Sequence, residues 1–324
     1  MANSESLDRI LTLEIARVTE AAAMASAKLV GRGDEKAADQ AAVDAMRSFL
    51  NTLNVRGRIV IGEGERDEAP MLFIGEEVGT GQGPEVDIAL DPLEGTTMAA
   101  KAMSNVLSVI AISPRGGLLH APDTYMDKIA IGGGYPEGVI DLDASTADNV
   151  RALAKAKGVR PEEISVCVLD RPRHQKIISA LRELGARVAL ITDGDVAGVI
   201  HTTDPATRID MYMGQGGAPE GVLAAAALRC IGGQIQTRLV FRNEDEKARA
   251  AKAGITDFKR KYTLSDMVKG DVIFAATGVT NGSMLEGVHA HGDRVSTHTV
   301  VMRSSTGTVR WIKADYRRGG RITL

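Results

Sequence analysis

The amino-acid sequence predicts an α/β protein in two parts, with a mixed sheet in the N-terminal half and a mainly parallel sheet in the C-terminal half. In the first half, short apolar strands such as RIVIG (58–62) and DIALD (87–91) follow one another with few helices between them, which favours antiparallel or mixed pairing. After about residue 145, strands and helices alternate, which is typical of parallel βαβ units. We therefore predict two parts, residues 1–145 and 146–324.

Two helices are predicted at the start of the first part. Apolar residues recur every three or four positions through residues 7–30, and Gly31 follows as a stop. A second helix is predicted for residues 35–53, where Asp39 lies one turn before Val43 on the face that points to the core. Because a lone buried charge is costly, we expect Asp39 to have a partner. Strands are predicted at 58–62, 87–91, 106–112 and 126–132.

The second part is predicted to alternate regularly. Its helices are expected at 146–157, 174–184, 195–200 and 218–231, and its strands at 164–170, 187–193 and 209–214. The charged stretch 243–262 is interpreted as a helical excursion on the surface, and strands are expected again at 271–278 and 295–316. The glycine run 132–134 is interpreted as a turn.

Composition excludes several classes of function. The net charge is −3 and aromatic residues make up only 3%, so neither a basic nucleic-acid surface nor a set of base-stacking rings is expected. No apolar run reaches the roughly 18 residues that a membrane span needs, and the acidic N-terminus is unlike a signal peptide. Cys167 and Cys230 each lie in an apolar stretch and are interpreted as buried thiols. We expect a soluble, cytoplasmic protein.

Carboxylates follow strands or open helices at several points of the chain. Glu63, with three further acids before residue 69, follows the strand at 58–62, while Asp91 and Glu94 follow the next strand and Glu220 opens a helix. Together with Asp39, these acids could meet, and oxygen ligands of this kind suit Mg²⁺ and Mn²⁺. No His/Cys spacing fits zinc. The alternative is that the acids are solvated loop ends, and for the EGERDE stretch both interpretations stay open.

A phosphate site is indicated directly after Glu94. Gly95-Thr96-Thr97 is expected to open a helix over MAAKAMSN, where free backbone N–H groups can bind a phosphate oxygen. A metal–carboxylate cluster beside such a helix start is typical of a phosphate-ester site, because the metal lowers the pKa of an attacking water. The Thr96 hydroxyl could orient that water.

Basic and glycine-rich segments follow the strands of the second part. Arg171-Pro172-Arg173 could clamp a second, non-reacting phosphate through the planar guanidinium groups, or could be surface charge beside a helix. Asp193-Gly194-Asp195 could bind sugar hydroxyls or merely cap a helix. Residues 214–217, GQGG, are expected to be a loop at the end of the next strand. His174 is interpreted as a helix-start residue rather than a general base.

The stretch Asp91-Pro-Leu-Glu-Gly-Thr96 resembles the D-P-[IL]-[DE]-G-[ST] signature of the lithium-sensitive sugar and inositol phosphatase superfamily. Further blocks narrow the resemblance, namely GRGDEKAAD, IVIGEGERDEAPML, APDTYM, RPRH, DGDV and GGAPEGV. In this order, from about residue 7 to 316, they resemble the class II (GlpX-type) fructose-1,6-bisphosphatases. The resemblance implies a layered αβαβα sandwich of the sugar phosphatase type. It also implies Mg²⁺- or Mn²⁺-dependent hydrolysis of the 1-phosphate of fructose 1,6-bisphosphate, as in gluconeogenesis.

The resemblance also implies the site residues. Its metal ligands fall on Asp39, Glu63, Asp91, Glu94 and Glu220. Its substrate contacts fall on Glu94, Gly95, Thr96, Tyr125, Arg171, Pro172, Arg173, Asp193, Gly194, Asp195 and Gly217. Thr96 would orient the water for in-line attack, and Glu65 or Asp67 could serve as acid or base. Tyr125 is singled out by the resemblance alone. A homo-oligomer, dimer or tetramer, is expected on the same ground, and the chain departs from the family's pattern in having Glu35 at a usual lysine position.

Alternative functions stay open at this point. A sedoheptulose-bisphosphate or inositol-monophosphate phosphatase would use the same machinery, although paired arginines favour a substrate with two phosphates. A non-catalytic sugar-phosphate sensor would need no costly cluster of carboxylates. A nucleotide-binding enzyme is disfavoured, because the chain has neither G-x-x-x-x-G-K-[ST] nor a G-x-G-x-x-G that follows a strand.

Overall fold

The computed structural model describes residues 7, 9–63 and 71–317. Contacts divide the chain into two compact units, the first built from residues up to 118 and from 269 onward, the second from residues 119–268. The predicted boundary near residue 145 lies inside the second unit. The chain returns to the first unit because the strand at Ile273–Gly278 pairs with the strand at Leu107–Pro114.

The elements are named in chain order. The helices are α1 (Leu11–Ala27), α2 (Glu35–Leu50), α3 (Thr96–Ala100), α4 (Thr146–Lys157), α5 (Gln175–Glu183), α6 (Asp195–Ile200), α7 (Ala218–Ile231), α8 (Glu244–Lys252) and α9 (Leu264–Met267). The strands are β1 (Arg56–Ile61), β2 (Glu77–Val78), β3 (Glu85–Glu94), β4 (Leu107–Pro114), β5 (Tyr125–Ile131), β6 (Ser165–Leu169), β7 (Arg187–Ile191), β8 (Met211–Gly217), β9 (Gln234–Val240), β10 (Tyr262–Thr263), β11 (Ile273–Gly278), β12 (His289–His291), β13 (Arg294–Arg303) and β14 (Thr308–Arg317). Of the described helices, none has the length and apolarity that crossing a bilayer requires.

The first unit is an eight-stranded sheet with α1 and α2 packed against it. The strand order is β12-β13-β11-β4-β3-β1-β2, and β14 pairs with the other edge of β13. β1 and β3 are parallel, while β3–β4, β4–β11 and β11–β13 are antiparallel, so the mixed sheet predicted for this half is confirmed. The core between helices and sheet includes Ile15, Met46, Ile88, Ile110 and Val301.

Both predicted N-terminal helices form, with shorter ends than expected. The apolar stripe of α1 is buried, as the three-to-four spacing indicates. α2 begins after Asp34, whose carboxylate accepts a hydrogen bond from the backbone N–H of Ala37 at 3.0 Å, as an N-cap should. α2 ends at Leu50 rather than at 53, and residues 51–53 continue as a turn.

The second unit contains a six-stranded sheet in the order β10-β9-β5-β8-β6-β7. The parallel pairing predicted for this half holds for β6 with β7 and for β6 with β8. The prediction of a mainly parallel sheet was wrong for the rest, since β5–β8, β5–β9 and β9–β10 are antiparallel. β5 enters this sheet through the loop after β4, with no crossover helix, and therefore need not run parallel to its neighbours. The α/β class itself is confirmed.

Two strands of the second sheet, β9 and the two-residue β10, were missed, and another was placed too short. β9 has alternate residues buried, but four of its seven residues are polar or charged, which weakens the sequence signal. β8 extends to Gly217 and includes the GQGG stretch that was predicted to be a loop. The glycines pair with residues 125–128 of β5, and this pairing holds them in the strand.

Candidate active site

A β-bulge places two of the predicted metal ligands on the same face of the first sheet. Asp91 pairs with Val109 and Glu94 pairs with Leu107, so β3 has one residue more than β4 over this stretch. Without the bulge, side chains three positions apart would point to opposite faces. Because the two partners on β4 are two positions apart, Asp91 and Glu94 share a face. Asp91 is half-buried and accepts a hydrogen bond from the Leu93 N–H at 3.0 Å, while Glu94 is only 4% exposed.

Gly95 turns the chain from β3 into the short helix α3. Its φ of 95° lies in the left-handed region, which a glycine adopts without strain. Thr96 is the first residue of α3 and is half-buried. The strand end, the turn and the threonine are therefore consecutive, as the sequence predicted.

The helix after Gly95 is shorter than predicted and ends at Ala100 instead of continuing through 105. The N–H groups of Gly31 and Gly33 donate to the carbonyl oxygens of Ala99 and Ala100 at 2.9 and 3.1 Å. These carbonyls would otherwise accept hydrogen bonds from the next helical turn. Ala102 then adopts a φ of 54°, which no right-handed helix contains.

Asp39 lies on α2, which packs against β3 and α3. The side chain is half-buried and makes no hydrogen bond or ion pair with any other described residue. Burial raises the pKa of this carboxyl group to about 6 from its usual 3.8. The partner that the sequence demanded for Asp39 is therefore not supplied by the described residues of the protein itself. Glu35, at the usual lysine position, and Lys36 are both exposed in the first turn of the same helix.

Glu63 directly precedes the segment 64–70, which is outside the described residues and contains the predicted acid/base residues Glu65 and Asp67. The backbone N–H of Glu63 donates to the Leu72 carbonyl at 2.9 Å. Within residues 7, 9–63 and 71–317, no three His, Cys, Asp or Glu side chains are grouped so that they could hold a metal ion. The ligand set therefore remains a prediction.

In the second unit, the structure brings the predicted substrate-binding residues together. The Arg171 guanidinium lies 3.9 Å from the Asp193 carboxylate. Arg173 donates from Nε and Nη2 to the carbonyl oxygen of Gln215 at 3.1 and 2.8 Å, and its guanidinium lies 5.0 Å from the centre of the Tyr125 ring. Tyr125, the residue chosen by resemblance alone, is thus the aromatic surface on which the arginine rests.

His174 joins the arginine segment to the glycine-rich end of β8. It is 1% exposed, its Nδ1 lies 2.7 Å from the Leu169 carbonyl, and its Nε2 accepts a hydrogen bond from the Gln215 N–H at 2.8 Å. These partners require Nδ1 to carry the proton and Nε2 to be unprotonated. Burial lowers the pKa of His174, which favours this neutral form. His174 is the residue before α5, so its interpretation as a helix-start residue is confirmed.

A buried charge cluster lies beneath the same segment, and sequence reasoning missed its cation. Lys128 on β5 is 2% exposed and donates to Oδ2 of Asp195 at 2.5 Å. The Tyr212 hydroxyl donates to the same oxygen at 3.4 Å. The available signal was a lysine inside the apolar strand MDKIAIG, since a lysine in such a position is buried only when paired. Cys167 and Cys230, in contrast, are both buried, as expected.

Glu220 lies on the first turn of α7, close to this cluster. Its Oε2 is buried and makes no hydrogen bond to any residue the structure describes. Burial, reinforced by the negative charge of Asp195 and opposed by Lys128, raises the pKa of Glu220 to about 7. A nearby cation would stabilise the ionised form of such a carboxylate, whose Oε2 accepts no hydrogen bond from the described residues.

Two glycines of β8 make room for these carboxylates. A Cβ at position 216 would lie 2.0 Å from Oδ2 of Asp195, and one at position 217 would lie 1.9 Å from Oε2 of Glu220. Both distances are far below van der Waals contact. Glycines at positions 216 and 217 are therefore required by the packing of the two carboxylates against them.

Comparison with known proteins identifies the family. The family model described as bacterial fructose-1,6-bisphosphatase, glpX-encoded, matches residues 9–316. The chain is 46% identical over 320 residues to fructose-1,6-bisphosphatase 1 class 2 of Escherichia coli (strain K12), covering 94% of this chain and 95% of that protein. Fructose-1,6-bisphosphatases class 2 of E. coli O6:H1 and of Shigella flexneri match with the same identity and coverage. The chain belongs to this family.

Membership in the glpX-encoded fructose-1,6-bisphosphatase family confirms the resemblance seen in the motifs. The matched range contains every predicted site residue, from Asp39 on α2 to Glu220 on α7. It also spans both compact units of the chain. The family assignment therefore applies to the carboxylates of the first unit and to the arginine segment of the second.

Proposed function

We propose that this chain hydrolyses the 1-phosphate of fructose 1,6-bisphosphate, giving fructose 6-phosphate and phosphate, as in gluconeogenesis. The observation that carries the proposal is the 46% identity to class 2 fructose-1,6-bisphosphatases over nearly the whole chain. Two structural features agree with it. Asp91 and Glu94 share one face at the end of β3, and Arg171 and Arg173 stand at the carboxyl end of β6.

We propose Mg²⁺ or Mn²⁺ as the cofactor, with Asp39, Glu63, Asp91 and Glu94 of the first unit and Glu220 of the second as ligands. All five offer carboxylate oxygens, the ligands that hard divalent cations prefer. The bare Oε2 of Glu220 and the half-buried Asp39 without a counter-charge among the described residues fit a role in holding a cation. A bound divalent cation would supply Lewis acidity toward a phosphoryl oxygen and a lower pKa for a bound water.

The chain's own side chains would bind the substrate and orient the attacking water. The Thr96 hydroxyl is proposed to orient that water, with Glu65 or Asp67 as acid or base. Arg171 and Arg173 would bind the non-reacting phosphate, because Nη1 of Arg173 is not engaged by the Gln215 carbonyl.

The sugar would be held by groups of the same unit. Asp193, Gly194 and Asp195 are proposed to contact its hydroxyls, and the carboxylate of Asp195 is fixed in place by Lys128. Pro172 and Gly217 are proposed to border the bound substrate, with Gly95 beside the reacting phosphate.

The proposal is tested by steady-state phosphate release from fructose 1,6-bisphosphate in the presence of Mg²⁺ or Mn²⁺. Glu94→Gln is expected to lower kcat at least about 100-fold, because charge stabilisation by a held cation is worth several kcal/mol. The matched control is Glu77→Gln, an exposed acid of the same unit, which should stay within about twofold of wild type. Full turnover by Glu94→Gln would remove the metal-site assignment.

Substrate choice is tested with a panel. The paired arginines predict that fructose or sedoheptulose bisphosphate is a better substrate than inositol 1-phosphate, because a monophosphate has no second phosphate for them to bind. Arg173→Ala should therefore raise KM for the bisphosphate and leave slow monophosphate turnover unchanged. Equal loss on both substrates would contradict the role of Arg173.

We also propose a cytoplasmic homo-oligomer, dimer or tetramer, with β14 at a subunit contact. β14 is an edge strand of the first sheet, and its side chains Trp311 and Val309 are 53% and 40% exposed. An exposed edge with apolar side chains is typical of a surface that pairs with another chain. Light scattering should give a multiple of 34.3 kDa, and a monomeric mass would contradict the proposal.

A further inference from the structure

The second unit has a cavity of about 340 Å³ at the amino end of its parallel strands. Ser165 and Arg187, the first residues of β6 and β7, line it. Arg171 and Asp193 instead follow the carboxyl ends of the same two strands. Five residues of strand at about 3.3 Å each separate the two ends by roughly 15 Å. The cavity is therefore separate from the residues proposed to bind substrate.

The glycine run after β5 forms one wall of this cavity. Gly132 and Gly133 line it, with the Tyr135 side chain beside them. A Cβ on Gly132 would lie 2.4 Å from the carbonyl oxygen of Thr202, so only glycine allows the two backbones to approach this closely. The run that the sequence marked as a turn therefore also shapes a pocket.

The charges that line the cavity do not balance. They are Lys157, Glu163, Arg187, Arg208 and Asp210. Lys157 is neutralised by Asp210, with Nζ 2.5 Å from Oδ1. Glu163 is neutralised from outside the cavity by Arg160, at 3.2 Å. Within the described part of the chain, the two remaining guanidinium groups form no ion pair, and the five charged residues that line the cavity carry a net charge of +1.

One of these two arginines is held in a strained backbone conformation. Arg208 has a φ of 58°, in the left-handed region where a residue with a Cβ is disfavoured and a glycine is not. Strain of this kind concentrates at binding and catalytic sites. Here the strained residue is an arginine that lines the cavity, although a glycine would adopt this backbone conformation more readily.

We propose that this cavity is a second anion site, which binds a small phosphate monoester through Arg187 and Arg208. Planar guanidinium forks match phosphate oxygens in pairs, and a phosphate monoester near neutral pH carries close to two negative charges, which suits a cavity with two guanidinium groups that form no ion pair. The volume suits a ligand of a few carbon atoms beyond its phosphate. Because the site lies at the other end of β6 and β7, its ligand would not compete with the substrate.

The test is equilibrium binding of inorganic phosphate, counted in equivalents by isothermal titration calorimetry. In EDTA, where no cation holds the reacting phosphate, wild type is expected to bind two equivalents, one at each end of the sheet. The double variant Arg187→Gln/Arg208→Gly should bind phosphate at the cavity at least tenfold more weakly, so that one equivalent is lost from the titration. Its kcat/KM for fructose 1,6-bisphosphate should stay within twofold of wild type. Arg171→Ala with Arg173→Ala should lose the other equivalent. Arg182→Gln, an exposed arginine of α5 outside the cavity, is the matched control and should keep both.

Folding of the variant is checked independently of binding. Arg208→Gly replaces a strained residue by glycine, so its urea midpoint should not fall below that of wild type. Retention of both equivalents in the cavity variant overturns the proposal, as does loss of all binding in the Arg171/Arg173 variant. Glycerol 3-phosphate should displace phosphate from the cavity in that second variant, and failure to displace it overturns the assignment to a monoester. If the chain binds phosphate at the cavity but hydrolyses nothing, this site stands while the proposed hydrolysis fails.

Discussion

Replacing Asp39 by asparagine should stabilise the metal-free protein and abolish its activity. Burial raises the pKa of Asp39 from 3.8 to about 6, so the folded state disfavours the charged carboxylate. A shift of about two pKa units corresponds to roughly 3 kcal/mol of unfolding free energy at neutral pH. Because the side chain is only half-buried, we expect the neutral amide to recover about 2–3 kcal/mol.

The pH dependence has a definite sign. Between pH 3.8 and about 6 the folded state keeps the Asp39 proton that the unfolded state has released. The penalty is therefore complete above pH 7, declines as the pH falls through 6, and vanishes below about pH 4. The advantage of Asp39→Asn over wild type should follow the same curve.

The assay is urea unfolding in EDTA, followed by circular dichroism at pH 7.5, 5.5 and 4. Asp44→Asn, an exposed carboxylate on the same helix, is the matched control and should change the unfolding free energy by less than about 0.5 kcal/mol. Saturating Mg²⁺ should stabilise wild type and leave Asp39→Asn unchanged. An Asp39→Asn protein less stable than wild type at pH 7.5 in EDTA would refute the reasoning, because Asp39 would then have a compensating partner.

Three further substitutions test the contacts of the second unit. Lys128→Met leaves the Asp195 carboxylate buried without its cation and should cost about 3–5 kcal/mol in urea unfolding, whereas a loss below 1 kcal/mol would mean the pair is solvated. Gly217→Ala should displace the Glu220 carboxylate and lower kcat at least about tenfold, and wild-type kinetics would contradict the close approach. Tyr125→Leu removes the ring under two guanidinium groups and should raise KM more than it lowers kcat, in contrast to Tyr125→Phe, which should match wild type.

Local sequence patterns predicted much of the fold because the elements have strong periodicity. The helix predicted at 146–157 is α4 to the residue, and α7 begins and ends as expected at 218 and 231. Pairing was harder, since the direction of β5 depends on how the chain enters the second sheet. The sequence of β5 alone does not determine whether the neighbouring strands run parallel or antiparallel to it.

The candidate site was predictable in its residues and not in the contacts that organise them. Asp91 and Glu94 could be chosen from their position near the end of a strand, but the bulge that puts them on one face depends on pairing with β4. Arg173 was expected to bind a ligand phosphate. Its two hydrogen bonds to the Gln215 carbonyl could not be predicted, because they depend on the position of β8. Lys128 was overlooked, because its partner Asp195 is 67 residues away.

The most direct test of the account is product analysis by ³¹P nuclear magnetic resonance of fructose 1,6-bisphosphate incubated with the purified protein, with Mg²⁺ or Mn²⁺ and with EDTA. With either cation we expect the 1-phosphate signal to disappear, the 6-phosphate signal to persist and orthophosphate to accumulate in equal amount, while EDTA stops the reaction. Undiminished hydrolysis in EDTA, or loss of the 6-phosphate first, would contradict the assignment of the carboxylates and arginines made here.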